Sequence, residues 1–178
     1  MRVRPAVADR KRLVELKARY EDLGKARALL QGSERLGRFR QADTYFALGE
    51  RRLKLREVDG RDVAQLVYYE RPDAPDVKES EVMLYEVVDP AVLKDMLART
   101  MGVHVVVRKV REIYRHEGVQ VHLDEVDRLG RFLEFELVVE DTPEAAEDGR
   151  AKLAALRAFF EIPDEDLVAS SYSDLLAD

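Results

Sequence analysis

Short runs of alternating apolar and polar residues recur along the chain, separated by tight turn signals. Because a strand sends side chains i and i+2 to one face, this alternation predicts half-buried strands. The clearest case is G-R-F-L-E-F-E-L-V-V-E at 130–140, where Glu134 and Glu136 interleave with Phe135 and Leu137. Two carboxylates on one strand face repel each other unless water or a cation intervenes. Similar alternation predicts strands over 12–20, 36–46, 52–58, 63–71, 79–88, 103–116, 119–126 and 132–139. Asp59-Gly60 and Glu117-Gly118 are hairpin turns between neighbouring runs.

Helical spacing interrupts this pattern. Leu23, Ala26 and Leu30 predict a short helix over 21–31, stopped at Gly32. Asp89 before Pro90 starts a second helix, running to Thr100, and Thr142 before Pro143 starts a third, running to about Phe160. A short helix is expected over 172–176, with Ser170, Ser171 and Ser173 as its capping region. Eight strands, mostly in hairpins, with helices between them predict an α+β domain spanning 1–178, built on an antiparallel sheet or barrel.

The 178 residues include no cysteine, which excludes disulfide scaffolds, zinc–thiolate sites and thiol nucleophiles. The amino terminus lacks an apolar targeting core and no run approaches membrane-spanning length, so a soluble cytoplasmic protein with no membrane partner is expected. The net charge of −6 argues against a general nucleic-acid binder. Its distribution says more. Nine bases face three acids between Lys25 and Arg56, whereas eleven acids face three bases from Glu140 onward.

The charges also share parity. Glu15, Lys17 and Arg19 lie on one face of the first strand, Lys54 and Arg56 on one face of the third. Lys109 and Arg111 follow Val105 and Val107 in phase, and His122 and Asp124 lie opposite Val121 and Leu123. A solvated outer sheet face is one reading. The other is a curled sheet whose polar faces line an interior while its apolar faces pack outward against helices. Bases beside carboxylates suit a polyphosphate bound with a divalent cation, since Lys and Arg neutralise phosphate oxygens and Asp and Glu hold a hard metal. His104, His116 and His122 lack metal-ligand spacing and read as ordinary, partly exposed histidines. No P-loop or dinucleotide-binding glycine motif is present.

V-E-L-K-A-R, Q-A-D-T-Y-F, R-L-K-L-R-E, Y-Y-E-R-P-D, V-R-K-V-R-E, V-H-L-D-E-V, L-G-R-F-L-E-F-E and S-Y-S-D-L-L, in this order, resemble the CYTH family, named for class IV adenylyl cyclases and thiamine triphosphatases. The resemblance implies an eight-stranded antiparallel triphosphate tunnel with outer helices, binding Mg²⁺ or Mn²⁺. It implies phosphate contacts from Lys17, Arg19, Lys54, Arg56, Arg71, Lys78, Lys109 and Arg111. It further implies metal ligation by Glu15, Asp124, Glu134 and Glu136, with Glu15, Lys17, Arg56 and Lys109 closest to the chemistry. The family's opening E-x-E-x-K is here L-V-E-L-K, so Leu13 replaces one carboxylate and a two-metal site loses a ligand. The leading expectation is a metal-dependent hydrolase of inorganic triphosphate, thiamine triphosphate or a nucleoside triphosphate. The alternatives are a class IV adenylyl cyclase and a non-catalytic polyphosphate or nucleotide binder. A small-molecule triphosphate is the expected partner, and a homodimer is left open.

Overall fold

Residues 9–49, 51–70 and 77–177 are described by the computed structural model. The strands are β1 (Asp9–Arg19), β2 (Glu34–Phe46), β3 (Arg52–Val58), β4 (Ala64–Glu70), β5 (Lys78–Val87), β6 (Val103–His116), β7 (Val119–Val126) and β8 (Gly130–Val139). The helices are α1 (Leu23–Leu29), α2 (Pro90–Met101), α3 (Pro143–Phe159) and α4 (Tyr172–Ala177), with a 3₁₀ turn at Asp164–Asp166. All strand pairs are antiparallel, and the order β1-β5-β4-β3-β2-β6-β7-β8 closes when β8 pairs with β1. Closure leaves no sheet edge to be protected. The eight predicted strands are all present. β1 begins three residues before the alternation does, because residues 9–11 pair with Leu84, Met83 and Val82 of β5.

Two faces follow from the strand period. Val14, Leu16 and Ala18 of β1, Val121 and Leu123 of β7, and Leu133 and Phe135 of β8 point outward. They meet Leu23, Ala26 and Leu30 around α1, and Leu153, Leu156 and Phe160 around α3. Burying each such leucine or phenylalanine stabilises the fold by roughly 1.5–3 kcal/mol. α3 lies very close to the barrel wall: a Cβ at Gly149 would sit 2.7 Å from Val14 Cγ2 and 3.0 Å from Val139 Cγ1. Thr142 caps this helix by accepting from the Ala145 N–H at 3.1 Å, and Pro143 fills its first turn. α2 covers the opposite flank through Leu93, Leu97, Ala98 and Met101, against Phe46, Leu55, Ala64 and Val87.

The passage between α3 and α4 has no sequence period, and tertiary contact sets its path. The Val168 N–H donates to the Lys17 carbonyl at 2.9 Å, and Leu167 pairs with Ala18. That path carries α4 to one end of the barrel. There Tyr172 packs with Tyr45, Val107, Val126 and Phe132 and closes that end. Ser171 and Asp174 cap α4 reciprocally, the Ser171 N–H donating to Asp174 Oδ2 at 3.0 Å and the Asp174 N–H to Ser171 Oγ at 3.2 Å. Among the described residues, no helix is long and apolar enough to cross a membrane.

Candidate active site

The inward faces enclose a cavity of about 170 Å³. Glu15, Lys17, Lys54, Arg56, Lys109, Arg111, Glu134 and Glu136 all line it, together with Tyr45 and Tyr172. The charged parity is therefore an interior, not a solvated outer face.

On one wall the register builds a grid across three strands. His122, Glu134 and Lys17 form one row on β7, β8 and β1, and Gln120, Glu136 and Glu15 form the next. Arg111, on β6, anchors the first row. Its Nε donates to Asp124 Oδ1 at 2.7 Å and its Nη2 to Asp124 Oδ2 at 2.6 Å, while Nη2 also donates to Glu134 Oε2. The Tyr172 hydroxyl donates to Asp124 Oδ2 at 2.8 Å. Burial pushes both carboxyls up, but Arg111 outweighs it and holds Asp124 below, and Glu134 well below, the usual carboxylate range; Lys17 adds to the effect at Glu134. Both are therefore ionised at neutral pH. Burial, then the Asp124 and Glu134 charges, push the Tyr172 phenol well above its ordinary value, so it remains a donor.

The facing group centres on Asp43, an acid with 1% exposure on β2. Arg56 holds it bidentately at 2.8 Å, with Lys54 Nζ at 3.1 Å and Lys109 Nζ at 3.5 Å. Burial pushes its carboxyl up, yet Arg56, Lys54 and Lys109 together hold it well below the usual range. One carboxylate cannot satisfy three cations. Burial, then Arg111 and Arg56, therefore depress Lys109 to about 7 despite the nearby Asp43. Tyr172 lies beneath two of the ammonium groups, with Lys17 Nζ 4.1 Å and Lys109 Nζ 5.3 Å from its ring centroid.

The third wall differs from the expectation of a uniformly polar interior. Leu13 packs with Val67, Tyr69, Val82 and Leu84 on the inner faces of β1, β4 and β5. Leu13 thus belongs to an apolar surface facing the charged groups, with Gln65 and Ser80 as polar neighbours in the cavity.

Several predicted site residues lie elsewhere. Arg19 has the right parity but is exposed beyond the closed end, where Nη1 donates to the Leu129 carbonyl at 3.2 Å and the guanidinium lies over Phe132. Lys78 is buried, and its ammonium donates to the Val168 and Ala169 carbonyls leading into α4. Asp124 has 0% exposure and is taken up by Arg111 and Tyr172, so it positions the arginine rather than facing the cavity. Arg71 lies outside the described residues. His122 is not partly exposed: it is buried at 2% exposure, because its strand faces the barrel interior at that position. Asp43 and Tyr172 are site residues that pattern reading missed, whereas His122 was placed on the charged face of its strand without a role there. For Asp43 the usable signal is Gln41-Asp43-Tyr45 alternating on a strand that neighbours the Lys54/Arg56 hairpin arm.

His122, Glu134 and Glu136 offer ligand atoms all within 4.8 Å of one another, a donor set that fits a divalent cation. The structure is thus an eight-stranded antiparallel barrel whose interior carries cations and carboxylates on facing walls. The family model for the CYTH domain matches residues 11–172, and the chain belongs to that family. It is 25% identical over 173 residues to a Methanocaldococcus jannaschii protein named "Putative adenylate cyclase", covering 91% of this chain and 97% of that one. A solved structure from Pyrococcus horikoshii superposes with a TM-score of 0.81 at 25% identity, over 92% of this chain and 98% of that one. A Vibrio parahaemolyticus structure with the same kind of name as the M. jannaschii protein shares the fold, with a TM-score of 0.78 at 21% identity over 94% and 99% of the two chains.

Proposed function

We propose that the chain is a divalent-cation-dependent hydrolase of an organic triphosphate held inside the barrel. The observation that carries this reading is the cavity itself, where Lys17, Lys54, Arg56, Lys109 and Arg111 face Glu15, Glu134 and Glu136. With Asp43 and Asp124 behind them, five cations meet five carboxylates, so the empty tunnel is close to charge balance. A triphosphate brings about four further negative charges at neutral pH, and these need a dication and fully protonated lysines to offset them.

Lys54, Arg56 and Lys109 bind phosphoryl oxygens on one side, and Lys17 and Arg111 meet them on the other. Glu15, in register on β1 with Glu136 of the cation-binding group, orients the attacking water by accepting its hydrogen. A bound dication supplies polarisation of the phosphoryl oxygens and neutralises developing charge. Glu134, held by Arg111 and Lys17, keeps its carboxylate fixed for that ion. The apolar wall of Leu13, Val67, Val82 and Leu84 gives the organic group a surface that inorganic triphosphate would leave exposed to water.

The same wall favours a second reading, cyclisation of ATP with release of pyrophosphate, in line with the name carried by the M. jannaschii relative. Incubating the protein and Mn²⁺ or Mg²⁺ with ATP, thiamine triphosphate and tripolyphosphate, and following the products by ³¹P NMR, tests both. The proposed reading predicts orthophosphate and diphosphate products, with an organic substrate preferred. Pyrophosphate with cyclic AMP replaces it with the second reading, and no turnover of any of the three leaves a binding protein.

A further inference from the structure

β4 and β5 carry unbroken apolar runs, Leu66-Val67-Tyr68-Tyr69 and Val82-Met83-Leu84-Tyr85. Strands that are buried on both faces have sequences of this kind. Val67, Tyr69, Val82 and Leu84 account for the inner face, the apolar wall of the cavity. Leu66, Tyr68, Met83 and Tyr85 form the outer face, paired across the two strands, and it is covered only in part. Among the described residues, the core beneath α2 reaches Leu66 but not Tyr68, Met83 or Tyr85. Tyr85 is 45% exposed, and a hollow lined by Arg10, Tyr68, Glu81 and Met83 opens on the same face. The neighbouring helix is apolar on two sides. Leu93 and Leu97 of α2 pack on the barrel, while Val92 and Met96, one turn apart on the side away from it, are 57% and 58% exposed.

We propose that this flank is a homodimer interface, in which α2 of each copy packs Val92 and Met96 onto the outer face of β4 and β5 of the other. Shape favours a second copy as the occupant. A helix stands about 10 Å above the sheet it lies on, so α2 beside a part-covered sheet face forms a step, and two such steps interlock under a two-fold axis. Composition agrees: the centre of the patch carries no charged side chain, and tyrosine and methionine, its large residues, are enriched at interfaces. The rim carries both signs, Asp95 and Arg99 on the helix and Arg10 and Glu81 beside the sheet face. Helix-on-sheet docking therefore sets an acid and a base of one copy against a base and an acid of the other. The exposed parts of these apolar residues and their rim amount to roughly 800 Å² per copy, the size of a standard interface. The inference stands apart from the chemistry of the tunnel.

Sedimentation equilibrium of the full chain, from about 1 µM upward, should show a species of twice the mass of one chain. Met96→Glu and Tyr85→Glu each place a charge in the patch and should weaken the dimer at least about tenfold. Neither residue lines the cavity, so tripolyphosphate affinity should stay within about twofold of wild type. The chain has no cysteine, so Met96→Cys and Met83→Cys each introduce a single thiol that reports the geometry. Mixed and oxidised, the two variants should form a disulfide with each other in preference to either self-linked product. A monomer at every concentration would overturn the assignment and leave the face to a partner other than a second copy. A dimer that both Glu substitutions leave unchanged, or self-linked products in place of the mixed one, would overturn it as well. If the Glu variants do not fold, the mixed disulfide of the two Cys variants decides.

Discussion

Lys109 should gain a proton when a triphosphate binds. Its ammonium is buried beside Arg111 and Arg56, and its nearest carboxylate, Asp43 at 3.5 Å, is already held by Arg56 and Lys54. With its value near 7 in the empty protein, roughly one lysine in ten is charged at pH 8. A phosphate oxygen at hydrogen-bond distance favours the charged form, so binding at pH 8 should take up about 0.9 proton at this position. Calorimetric titration of tripolyphosphate without metal, in two buffers of different ionisation enthalpy, measures that uptake. Lys109→Met supplies the baseline for protons taken up by the ligand itself. A difference of about 0.9 proton between the two proteins is expected, and a difference below about 0.2 would refute the reasoning. The same depression carries a stability signature. Unfolded Lys109 returns to 10.5, so between about pH 7 and 10.5 the unfolded chain binds the extra proton. Ligand-free stability should therefore rise through that window, by at most about 1.4 kcal/mol per pH unit, and Lys109→Met should flatten the rise.

Asp43→Asn leaves Lys54, Arg56 and Lys109 without their shared anion, and should cost about 3–5 kcal/mol in thermal or denaturant unfolding. Added tripolyphosphate should recover more melting temperature in that variant than in wild type, and equal shifts would count against Asp43 as the internal counter-ion. Leu13→Glu places a carboxylate among Val67, Val82 and Leu84, and should lower the ratio of kcat/KM for ATP over tripolyphosphate. An unchanged ratio would remove the apolar wall from substrate choice. Gly149→Ala forces a Cβ to within 2.7 Å of Val14 and should destabilise by about 1–3 kcal/mol in a melt; a neutral result would mean that α3 shifts freely.

The strand period made the barrel and much of its site readable, because parity assigns a side chain to a face. Parity put Glu15, Lys17, Lys54, Arg56, Lys109, Arg111, Glu134 and Glu136 on the charged faces of their strands but left open whether those faces were an interior or a solvated exterior; all of them line the cavity. Parity says nothing about depth along the barrel. Arg19 has the same phase as Lys17 but lies past the point where Phe132 and Tyr172 close the end. β4 and β5 carry apolar residues on both faces around Val67 and Val82, so alternation could not show that the inner one forms an apolar wall. The passage after α3 has no period, which hid the closure by Tyr172 and the carbonyls that receive Lys78. His122 was legible only through its phase with Asp124, since its partners Gln120, Glu134 and Glu136 become neighbours through strand register rather than sequence spacing.

Tripolyphosphate affinity of wild type, Arg56→Ala and Arg108→Ala, measured by calorimetry at fixed salt, tests most directly whether the tunnel interior holds the phosphates. Arg56 lines the cavity, whereas Arg108 is exposed on the outer face of β6 two strands away. In Arg56→Ala, Asp43 keeps Lys54 and Lys109, so the fold retains its internal charge pairing, which a melt verifies. Losing one charge-assisted contact of about 1.5–3 kcal/mol predicts affinity roughly 10- to 150-fold weaker for Arg56→Ala. Arg108→Ala should stay within about twofold of wild type, since an exposed charge contributes little. Equal affinities for all three proteins, or a loss in Arg108→Ala matching that in Arg56→Ala, would place the phosphate site outside the barrel.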